Sequence, residues 1–591
     1  MSSDKLVFDL ASEIEGSTNL FIKKDWVNIL DNMNTNYSSN QSVVDTSQLS
    51  NSNKYMSYRE AYLLVPMLLT VTNASATGAT NGGFAPATGG TSCDYCIGLK
   101  SWFGQIIHSF TLDYNGVTVI QQTPYINMVN SFKLLTSLSW DDVITQGATI
   151  GFYPDSALSF RVNTDALANE GQGTCNNTIN PVILGGSATI GTTFNAFQNL
   201  SGNVGALKRC QYINYDSAGI IGNAGTYAAL QTDQSARNIW KSFISNKVNG
   251  ADAVSSGVFQ ITVTATIYLK HIHSFFAMCP LLKGVFMKMT MNLNNTSVTF
   301  TTATAAPGTT MLLSGVSNAV GGVCPLLLSA QSYRLASNGN QTVLGNLGPG
   351  SYIASVAVGS RVLNPTQAGI AGVQQGQCAQ SVYLYVPAYT FNPVFESAYL
   401  SSPIKRIAYE DVYQYQVLNV AAGASFNNLL TNGIANLKSV LIIPFFSVSA
   451  SGLPAGAQVP VFQSPFDTAG TGTTSPLIQF NNFNVVVSGQ NAIYNTQQRQ
   501  FEQFNNQLAG CNAVNGGLTD GLTSSLIGAL DFDMSYCYYY VNVERMLPVE
   551  QSVPKSVQII GINQSARSID MYCFLSYQSE ISIDLFTGSR V

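Results

Sequence analysis

Segments in which apolar and polar side chains alternate limit this chain to folds built from half-buried β-strands. In ITVTATIYL (261–269) every second residue from Ile261 onward is apolar, with threonines and one tyrosine between them. ISIDL (581–585) repeats the pattern. Because successive side chains of a strand point to opposite faces, such segments predict antiparallel sheets with one face on a core. SVLIIPFFSV (439–448) is apolar on both faces, which predicts a more deeply buried strand.

Helical patterns are few and short. QQRQFEQFNNQLAG (497–510) places three apolar side chains on one stripe, and NPVFESAYL (392–400) predicts a second short helix. Long segments with few or no charged residues separate the strand patterns, chiefly residues 73–92, 162–205, 299–325 and 449–476. Short strands, large loops and no regular alternation of strands with helices predict β-sandwiches of the jelly-roll type and argue against a parallel α/β fold.

The small number of charged residues restricts the classes of function. Only 10% of the residues are charged, while 46% are hydrophobic, and the net charge is −5. A chain without a basic tail or patch is poorly suited to bind nucleic acid through its phosphates. A surface so poor in charge suits a protein packed against neighbours. The first residues lack the apolar region of a signal peptide, and AYLLVPMLLTV (61–71) is too short to span a bilayer.

The residues that could carry metal chemistry are few. His271 and His273 lie one residue apart in IYLKHIHSFFAMCPLLKG (267–284), a segment that also contains Cys279. On a strand the two imidazoles would share a face and could bind zinc, but a catalytic zinc needs three protein ligands. The remaining histidine, His108, lies in another predicted strand. We therefore favour a strand that turns into a short helix, with imidazoles that supply hydrogen bonds there.

Other catalytic patterns are missing from the sequence. There is no phosphate-binding GxxxxGK[ST] loop and no GxSxG serine elbow, and three histidines leave few candidates for a catalytic triad. Cys93 and Cys96 form a lone CxxC, which we interpret as reduced loop thiols. We predict no catalytic, cofactor-binding or metal-binding residues, no cofactor and no enzymatic activity.

Three longer segments resemble one protein family. IYLKHIHSFFAMCPLLKGVFMKMTMNLN (267–294) combines a strand, a short helix and a strand that ends in Asn. VYLYVPAYTFNPVFESAYLSSPIKRIAYEDVYQYQVLNV (382–420) and residues 538–588 follow it in the chain, and YREAYLLVPMLLTVT (58–72) is weakly similar. Together they are similar to the double jelly-roll major capsid proteins of the virophage, Polinton (Maverick) and adintovirus branch of DNA viruses. The chain departs from that family in its long loops around 73–92, 162–205 and 299–345.

The resemblance implies an all-β fold of two consecutive eight-stranded antiparallel jelly rolls with long loops and a few short helices. We predict an N-terminal arm over residues 1–54, jelly roll 1 over 55–400 and jelly roll 2 over 401–591. The boundary depends on the short link NPVFESAYLSSP (392–403). The arm is polar, with Phe8, Phe21 and Trp26 as its chief apolar anchors.

The resemblance also implies a function. Homotrimers would form pseudo-hexagonal capsomers that tile the icosahedral shell of a double-stranded DNA virus together with neighbouring capsomers and penton and minor capsid proteins. The protein would be made and assembled inside the host cell and be located in the virion. Two alternatives from other classes remain open: a glycan-binding β-sandwich adhesin or receptor-binding spike, and a metallo-hydrolase built on His271 and His273.

Overall fold

The computed structural model describes part of the 591-residue chain. The described residues are 20–37, 39–50, 52–73, 92–99, 101–154, 193–194, 210–216, 258–294, 297–302, 311–317, 325–328, 334–335, 341–342, 350–359, 381–447, 478–493, 501–509, 526–529, 532, 536, 538–544, 552–565 and 568–591.

The strands of the N-terminal part are β1 (Phe21–Leu30), β2 (Gln41–Asp45), β3 (Tyr55–Met56), β4 (Tyr62–Asn73), β5 (Ser92–Leu99), β6 (Ile107–Tyr114), β7 (Val117–Ile120), β8 (Thr193–Phe194), β9 (Cys210–Asp216), β10 (Val258–Tyr268), β11 (Met287–Leu293), β12 (Ser297–Thr302), β13 (Met311–Ser317), β14 (Pro325–Leu328), β15 (Arg334–Leu335), β16 (Gln341–Thr342), β17 (Gly350–Val358) and β18 (Tyr383–Phe391). The strands of the C-terminal part are β19 (Ile404–Val420), β20 (Ser425–Ile434), β21 (Leu437–Phe446), β22 (Phe480–Val487), β23 (Gln490–Asn491), β24 (Tyr539–Asn542), β25 (Lys555–Asn563) and β26 (Ile569–Asp584). The helices are α1 (Ser47–Ser50), α2 (Ile126–Ser137), α3 (Trp140–Ile150), α4 (Leu269–Ile272), α5 (Ser274–Met278), α6 (Pro393–Leu400), α7 (Phe501–Ala509) and a 3-10 turn at Phe103–Ile106.

The strand order is the same in two sandwiches. In the second, the eight strands β19 to β26 form one sheet ordered β19-β26-β21-β24 and another ordered β20-β25-β22-β23. Counted along the chain, these are strands 1-8-3-6 and 2-7-4-5. The eight core strands of the first sandwich, numbered 1 to 8 along the chain, are β1, β2, β4, β6, β7, β10, β11 and β18. In that numbering β1-β18-β4-β10 is again ordered 1-8-3-6, and β2-β11-β6-β7 is ordered 2-7-4-5. These pairings are antiparallel, and two four-stranded sheets connected in this way form a jelly roll. The chain is a double jelly roll.

Some of the remaining strands extend a sheet of the first sandwich, and others form small separate sheets. β17 pairs with the distal part of β4, and β12, β13 and β8 continue that sheet outward. β5 pairs with β9 and β14, and β15 pairs with β16. Two expectations are therefore corrected. The segment 299–345 contains strands rather than a continuous loop, and Cys93 and Cys96 lie within β5. The other predicted loops fall largely outside the described residues.

The prediction of an arm over residues 1–54 is wrong where the structure describes it. β1 pairs with β18 from Phe21 to Leu30, and β2 pairs with β11. Inward-facing Ile29 and Val44 are buried in the core. These strands are the first and second of the first jelly roll, so that roll begins before residue 55. Residues 1–19 lie outside the described part, and the division of the chain at residue 400, where α6 ends, stays a prediction.

Local sequence explains the boundaries of two helices. Ser139 and Asp142 form a reciprocal capping box at the start of α3, which ends at Gly151 with φ of 68°. Asn392 caps α6 through the backbone of Val394, and Pro393 occupies the first helical position. None of the helices that the structure describes is long and apolar enough to cross a membrane.

A buried polar network ties the turn after β1 to the start of β18. The hydroxyl of Tyr37 donates to Asp31 Oδ2 at 2.8 Å and accepts from the backbone of Val382 at 2.7 Å. Ser42 Oγ also donates to Asp31 Oδ2, at 3.0 Å. Burial raises the pKa of the Asp31 carboxyl despite these donors, so the carboxyl depends on its hydrogen bonds to remain in the core.

We expect Tyr37→Phe to lower the free energy of unfolding by roughly 1–3 kcal/mol, because it leaves a buried carboxyl and a backbone N–H short of a partner. Urea denaturation measures the change. Tyr413→Phe, which removes a hydroxyl from a tyrosine that is 43% exposed, is the control. Equal stability of the two variants would contradict this role for Tyr37.

Candidate functional site

The histidine pair does not share a strand face. β10 ends at Tyr268, and His271 lies in α4 while His273 separates α4 from α5. This confirms the predicted turn from a strand into a short helix. His271 packs edge-on against Tyr268 and Trp102, with ring centroids 5.8 and 6.2 Å apart, and its Nδ1 is buried without a hydrogen-bond partner. Burial, with a smaller contribution from Lys270, lowers the pKa of His271 to about 4.

His273 faces the second sandwich. Its Nδ1 accepts a hydrogen bond from the backbone of Phe275 at 3.2 Å, which leaves the ring proton of a neutral imidazole on Nε2. Nε2 lies 3.4 Å from Asp411 Oδ1 without hydrogen-bond geometry. Asp411 also accepts from its neighbour Val412 N at 2.8 Å and from Tyr577 OH at 3.2 Å. Both side chains of the His273–Asp411 pair are 5% exposed, so the contact is buried between the two sandwiches.

The predicted hydrogen bonds of the imidazoles are therefore present for His273 and not for Nδ1 of His271. His108 packs edge-on against Tyr125 at 4.7 Å, and burial lowers its pKa. Cys279 is buried, and burial raises the pKa of its thiol. Within the described ranges, no group of three or more His, Cys, Asp or Glu residues is arranged to hold a metal.

The buried His271 gives a pH dependence with a defined sign. Its folded-state pKa of about 4 lies below the ordinary 6.5, so the unfolded chain takes up the proton first. Stability is unaffected above about pH 6.5 and falls as the pH drops from there to about 4, by roughly 3 kcal/mol. His271→Gln should lose about that much less than wild type between pH 7 and pH 4 in urea titrations. Parallel losses in both proteins would refute it.

The junction between the sandwiches covers one face of the second 1-8-3-6 sheet. Phe132 of α2 packs against Tyr538 and Tyr540, with ring centroids 5.0 and 5.6 Å apart. Tyr125, just before α2, packs edge-on against Tyr572 of β26 at 5.0 Å. The opposite face of this sheet contacts β22 through Tyr539. Residues 569–576 of β26 are accordingly all buried, which makes the junction part of the core.

Hydrogen bonds reinforce the junction at several points. Thr123 Oγ1 donates to the carbonyl of Val412 at 2.7 Å, and Tyr409 OH donates to the carbonyl of Val119 at 3.0 Å. Ser274 Oγ both donates to and accepts from the backbone of Glu410, at 2.7 and 2.8 Å. These partners belong to different sandwiches, so the two rolls are fixed in one orientation.

One ion pair borders this junction. Lys133 Nζ of α2 lies 3.7 Å from Glu410 Oε2 of β19. Burial alone would raise the pKa of Glu410, but Lys133, a hydrogen bond from Ser576 and nearby positive charge lower it overall. The two side chains are 30% and 37% exposed, so the pair contributes little to stability.

The corresponding sheet face of the first sandwich carries a group of aromatic side chains. We call Trp26, Tyr62, Tyr268, Tyr383 and Tyr385 the aromatic face. Tyr385, Tyr62 and Tyr268 stand opposite one another on the adjacent strands β18, β4 and β10. The rings of Tyr62 and Tyr385 stack at 5.2 Å, and Trp26 lies 5.6 Å from Tyr62.

The edge of the aromatic face is exposed along β1. Trp26 is 50% exposed, and Ile22 and Leu30 on the same strand are 66% and 43% exposed. Lys24 Nζ lies 5.5 Å from the ring of Trp26 and 2.7 Å from Glu60 Oε2. Hydrogen bonding to Glu60 raises the pKa of Lys24, so this lysine is a fixed positive charge. Exposed apolar and aromatic side chains grouped in this way are typical of a protein–protein interface.

Comparisons with known proteins give structural neighbours only. No protein-family model and no curated protein matches the chain. A chain from the Sputnik virophage structure is similar over 98% of this chain and 89% of its own, with 11% identity and a TM-score of 0.45. The Faustovirus major capsid protein covers 96% and 91% at 10% identity and 0.40. The mavirus major capsid protein covers 98% and 93% at 8% and 0.37.

Proposed function

We propose that the chain is a structural, non-enzymatic major capsid protein, whose homotrimers form pseudo-hexagonal capsomers of an icosahedral double-stranded DNA virus shell. The observation that carries the proposal is that two sandwiches of identical strand order pack within one chain front to back, that is, through two different surfaces. α2 of the first covers the 1-8-3-6 sheet of the second, through Phe132 and Tyr125. The corresponding sheet of the first carries the aromatic face, in which Trp26 is exposed and the tyrosines are half-buried.

Front-to-back contacts have a geometric consequence. A contact between two different surfaces can be repeated by further copies, and it closes into a ring when the rotation per step divides a full turn. Each chain contributes two sandwiches of the same strand order, so three chains contribute six. This agrees with the pseudo-hexagonal trimer that the three sequence segments imply by resemblance to double jelly-roll capsid proteins.

Composition supports the same function. Only 10% of residues are charged, and the chain has 28 tyrosines and 30 phenylalanines. Interfaces are depleted in most charged residues and enriched in aromatic ones, because few ions then have to lose water on assembly. The proposed partners are two further copies of the chain, neighbouring capsomers, and penton and minor capsid proteins. The proposed location is the virion, after assembly inside the host cell.

Light scattering combined with electron microscopy of the expressed protein tests this function. We expect a mass of three chains at micromolar concentration and particles of hexagonal outline. A stable monomer of normal fold would contradict the proposal, and slender isolated monomers would instead favour the adhesin class.

Trimers and shells should depend only weakly on ionic strength. The described exposed ion pairs, such as Arg406 with Glu580, contribute at most about 1 kcal/mol each. Apolar burial contributes roughly 25 cal/mol per Å² and is not screened by salt. We expect trimers to persist in molar sodium chloride, as measured by sedimentation velocity. Dissociation between low and molar salt would show that charge pairs dominate the contacts.

A further inference from the structure

The chain contains six Asn-Gly dipeptides, and the structure describes two of them, Asn115–Gly116 and Asn432–Gly433. In such a dipeptide the backbone nitrogen of glycine can attack the side-chain carbonyl carbon of asparagine, because glycine has the most backbone freedom and no side chain that obstructs the approach. In a folded protein the reaction also requires an asparagine side chain that is free to turn back onto the following nitrogen. The two dipeptides differ in this respect.

Asn115–Gly116 is held by its surroundings. With φ angles of 46° and 82°, the two residues form the tight turn between β6 and β7, a conformation that favours asparagine followed by glycine. Oδ1 of Asn115 accepts a hydrogen bond from the backbone of Phe286 at 3.0 Å, and its Nδ2 donates to the carbonyl of Gly588 at 2.5 Å. The side chain must break both hydrogen bonds before it can reach the nitrogen of Gly116.

Asn432–Gly433 lies in an irregular part of β20, at the edge of the sheet ordered β20-β25-β22-β23. Thr431 and Ile434 are consecutive register partners of β25, and the two residues between them stand against the single residue Ser556. A bulge of this kind leaves backbone groups outside the hydrogen-bonded ladder. The pairing of β20 with β25 therefore does not hold the Asn432–Gly433 peptide.

Neither residue of this dipeptide is restrained by its neighbours. Both are exposed, and the Asn432 side chain makes no hydrogen bond to the residues that the structure describes. The Gly433 N–H donates only to Thr431 Oγ1, at 3.3 Å on the surface. A Cβ at Gly433 would meet no atom within 4 Å, and its φ lies outside the left-handed region. The fold therefore does not require glycine at position 433, in contrast to position 116.

We propose that Asn432 is a site of spontaneous modification, which deamidates in the folded protein through attack of the Gly433 nitrogen on its Cγ. The new N–Cγ bond closes a five-membered succinimide, the Cγ–Nδ2 bond breaks, and the amide leaves as ammonia with the proton of the Gly433 N–H. Water then opens the ring at either carbonyl and leaves aspartate or isoaspartate. Water is the only co-reactant, and neither an enzyme nor an oxidant takes part.

The position tolerates either product. The new carboxylate is exposed and remains hydrated, and Lys555 of β25 is the register partner of Ile434, two residues further along β20. Isoaspartate lengthens the backbone at a point where the ladder is already interrupted, so the pairs on either side persist. Each event adds one negative charge to a chain of net charge −5. Copies of different age therefore differ in surface charge while they keep the same fold.

Incubation of the purified full-length protein in mildly alkaline buffer tests the assignment. Samples are digested at acidic pH, and mass spectrometry gives the deamidated fraction of the peptides that contain each dipeptide. We expect Asn432 to react at least about tenfold faster than Asn115, because the hydrogen bonds of Asn115 raise its barrier. In concentrated urea the two rates should become similar. A rate at Asn432 no greater than that at Asn115 in the folded protein would overturn the proposal.

A variant at the attacking residue tests the route. Gly433→Ala places a methyl group beside the nucleophilic nitrogen, and the open space around this position leaves room for it. We expect deamidation of Asn432 to slow severalfold, while the rate at Asn115 and the circular dichroism stay those of wild type. An unchanged rate at Asn432 in the folded variant would show direct hydrolysis of the amide and overturn the route through Gly433. If the variant fails to fold, the comparison of the two dipeptides in wild type decides.

Discussion

Removal of residues 1–54 is expected to abolish folding of the first sandwich. The deletion takes away its first and second strands, so β18 and β11 each lose a neighbour along their length. Unpaired backbone groups and the apolar surface under Ile29 and Val44 would then meet water. We expect insoluble protein, as measured by the soluble fraction after expression. Folded trimers of the truncated chain would show that both strands are dispensable.

A matched pair of substitutions in β1 tests the contribution of its buried face without removing any residues. Ile29 is 1% exposed, so Ile29→Asp places a carboxylate in the core and should cost roughly 4 kcal/mol or more. Asn28→Asp, one residue earlier and on the outward face, should change stability by less than about 0.5 kcal/mol. Chemical denaturation measures both, and similar costs at the two positions would contradict the alternation of β1.

The second large effect is expected at the junction. Phe132 is 2% exposed and packs against Tyr538 and Tyr540. Phe132→Ala should lower the free energy of unfolding by about 3–5 kcal/mol, because the lost ring leaves a cavity that rigid strands on one side cannot fill. Lys133→Ala removes the next residue of the same helix and its ion pair with Glu410, and it should cost less than about 1 kcal/mol.

Calorimetry also reports whether the sandwiches unfold together. The wild-type chain should show one cooperative transition, since buried residues of both rolls form a continuous core. In Phe132→Ala the transition should move to lower temperature. Two resolved transitions already in wild type would show that each roll is stable alone and that the junction contributes little.

Strands with regular alternation, and the wholly apolar segment of β21, were predictable from sequence, whereas β1 was not. β10 and the last residues of β26, from Ile581 onward, have clear period-two patterns, and both were predicted. β1, with the sequence FIKKDWVNIL, has Val27 and Ile29 facing inward but Ile22, Trp26 and Leu30 on the other face. Apolar residues on both faces, mixed with three charges, hide the alternation. A strand with exposed apolar residues on its outer face does not look half-buried in the sequence.

The junction was beyond sequence reasoning for a different reason. Hydrophobic periodicity says nothing about His273 or Asp411. No short-range sequence pattern links a histidine after β10 to an aspartate in β19. Their contact exists only because α5 packs on β19, as the hydrogen bonds between Ser274 and Glu410 show. The apolar residues on both faces of β21 and β26 were the available signal. They indicate that both faces of the sheet are covered, but they do not indicate which part of the chain covers each face.

The pairing of the first strand with the eighth determines when, during synthesis, the first jelly roll can close. Phe21 and Phe391 are register partners, separated by 391 − 21 = 370 residues. A ribosome that adds about 5–20 residues per second needs roughly 20–70 s to make that stretch. Throughout this interval the backbone groups of β1 that pair with β18 have no strand to bind, which exposes them to pairing with other chains. The first jelly roll can therefore close only after almost two thirds of the chain has been synthesised, when β18 becomes available to pair with β1.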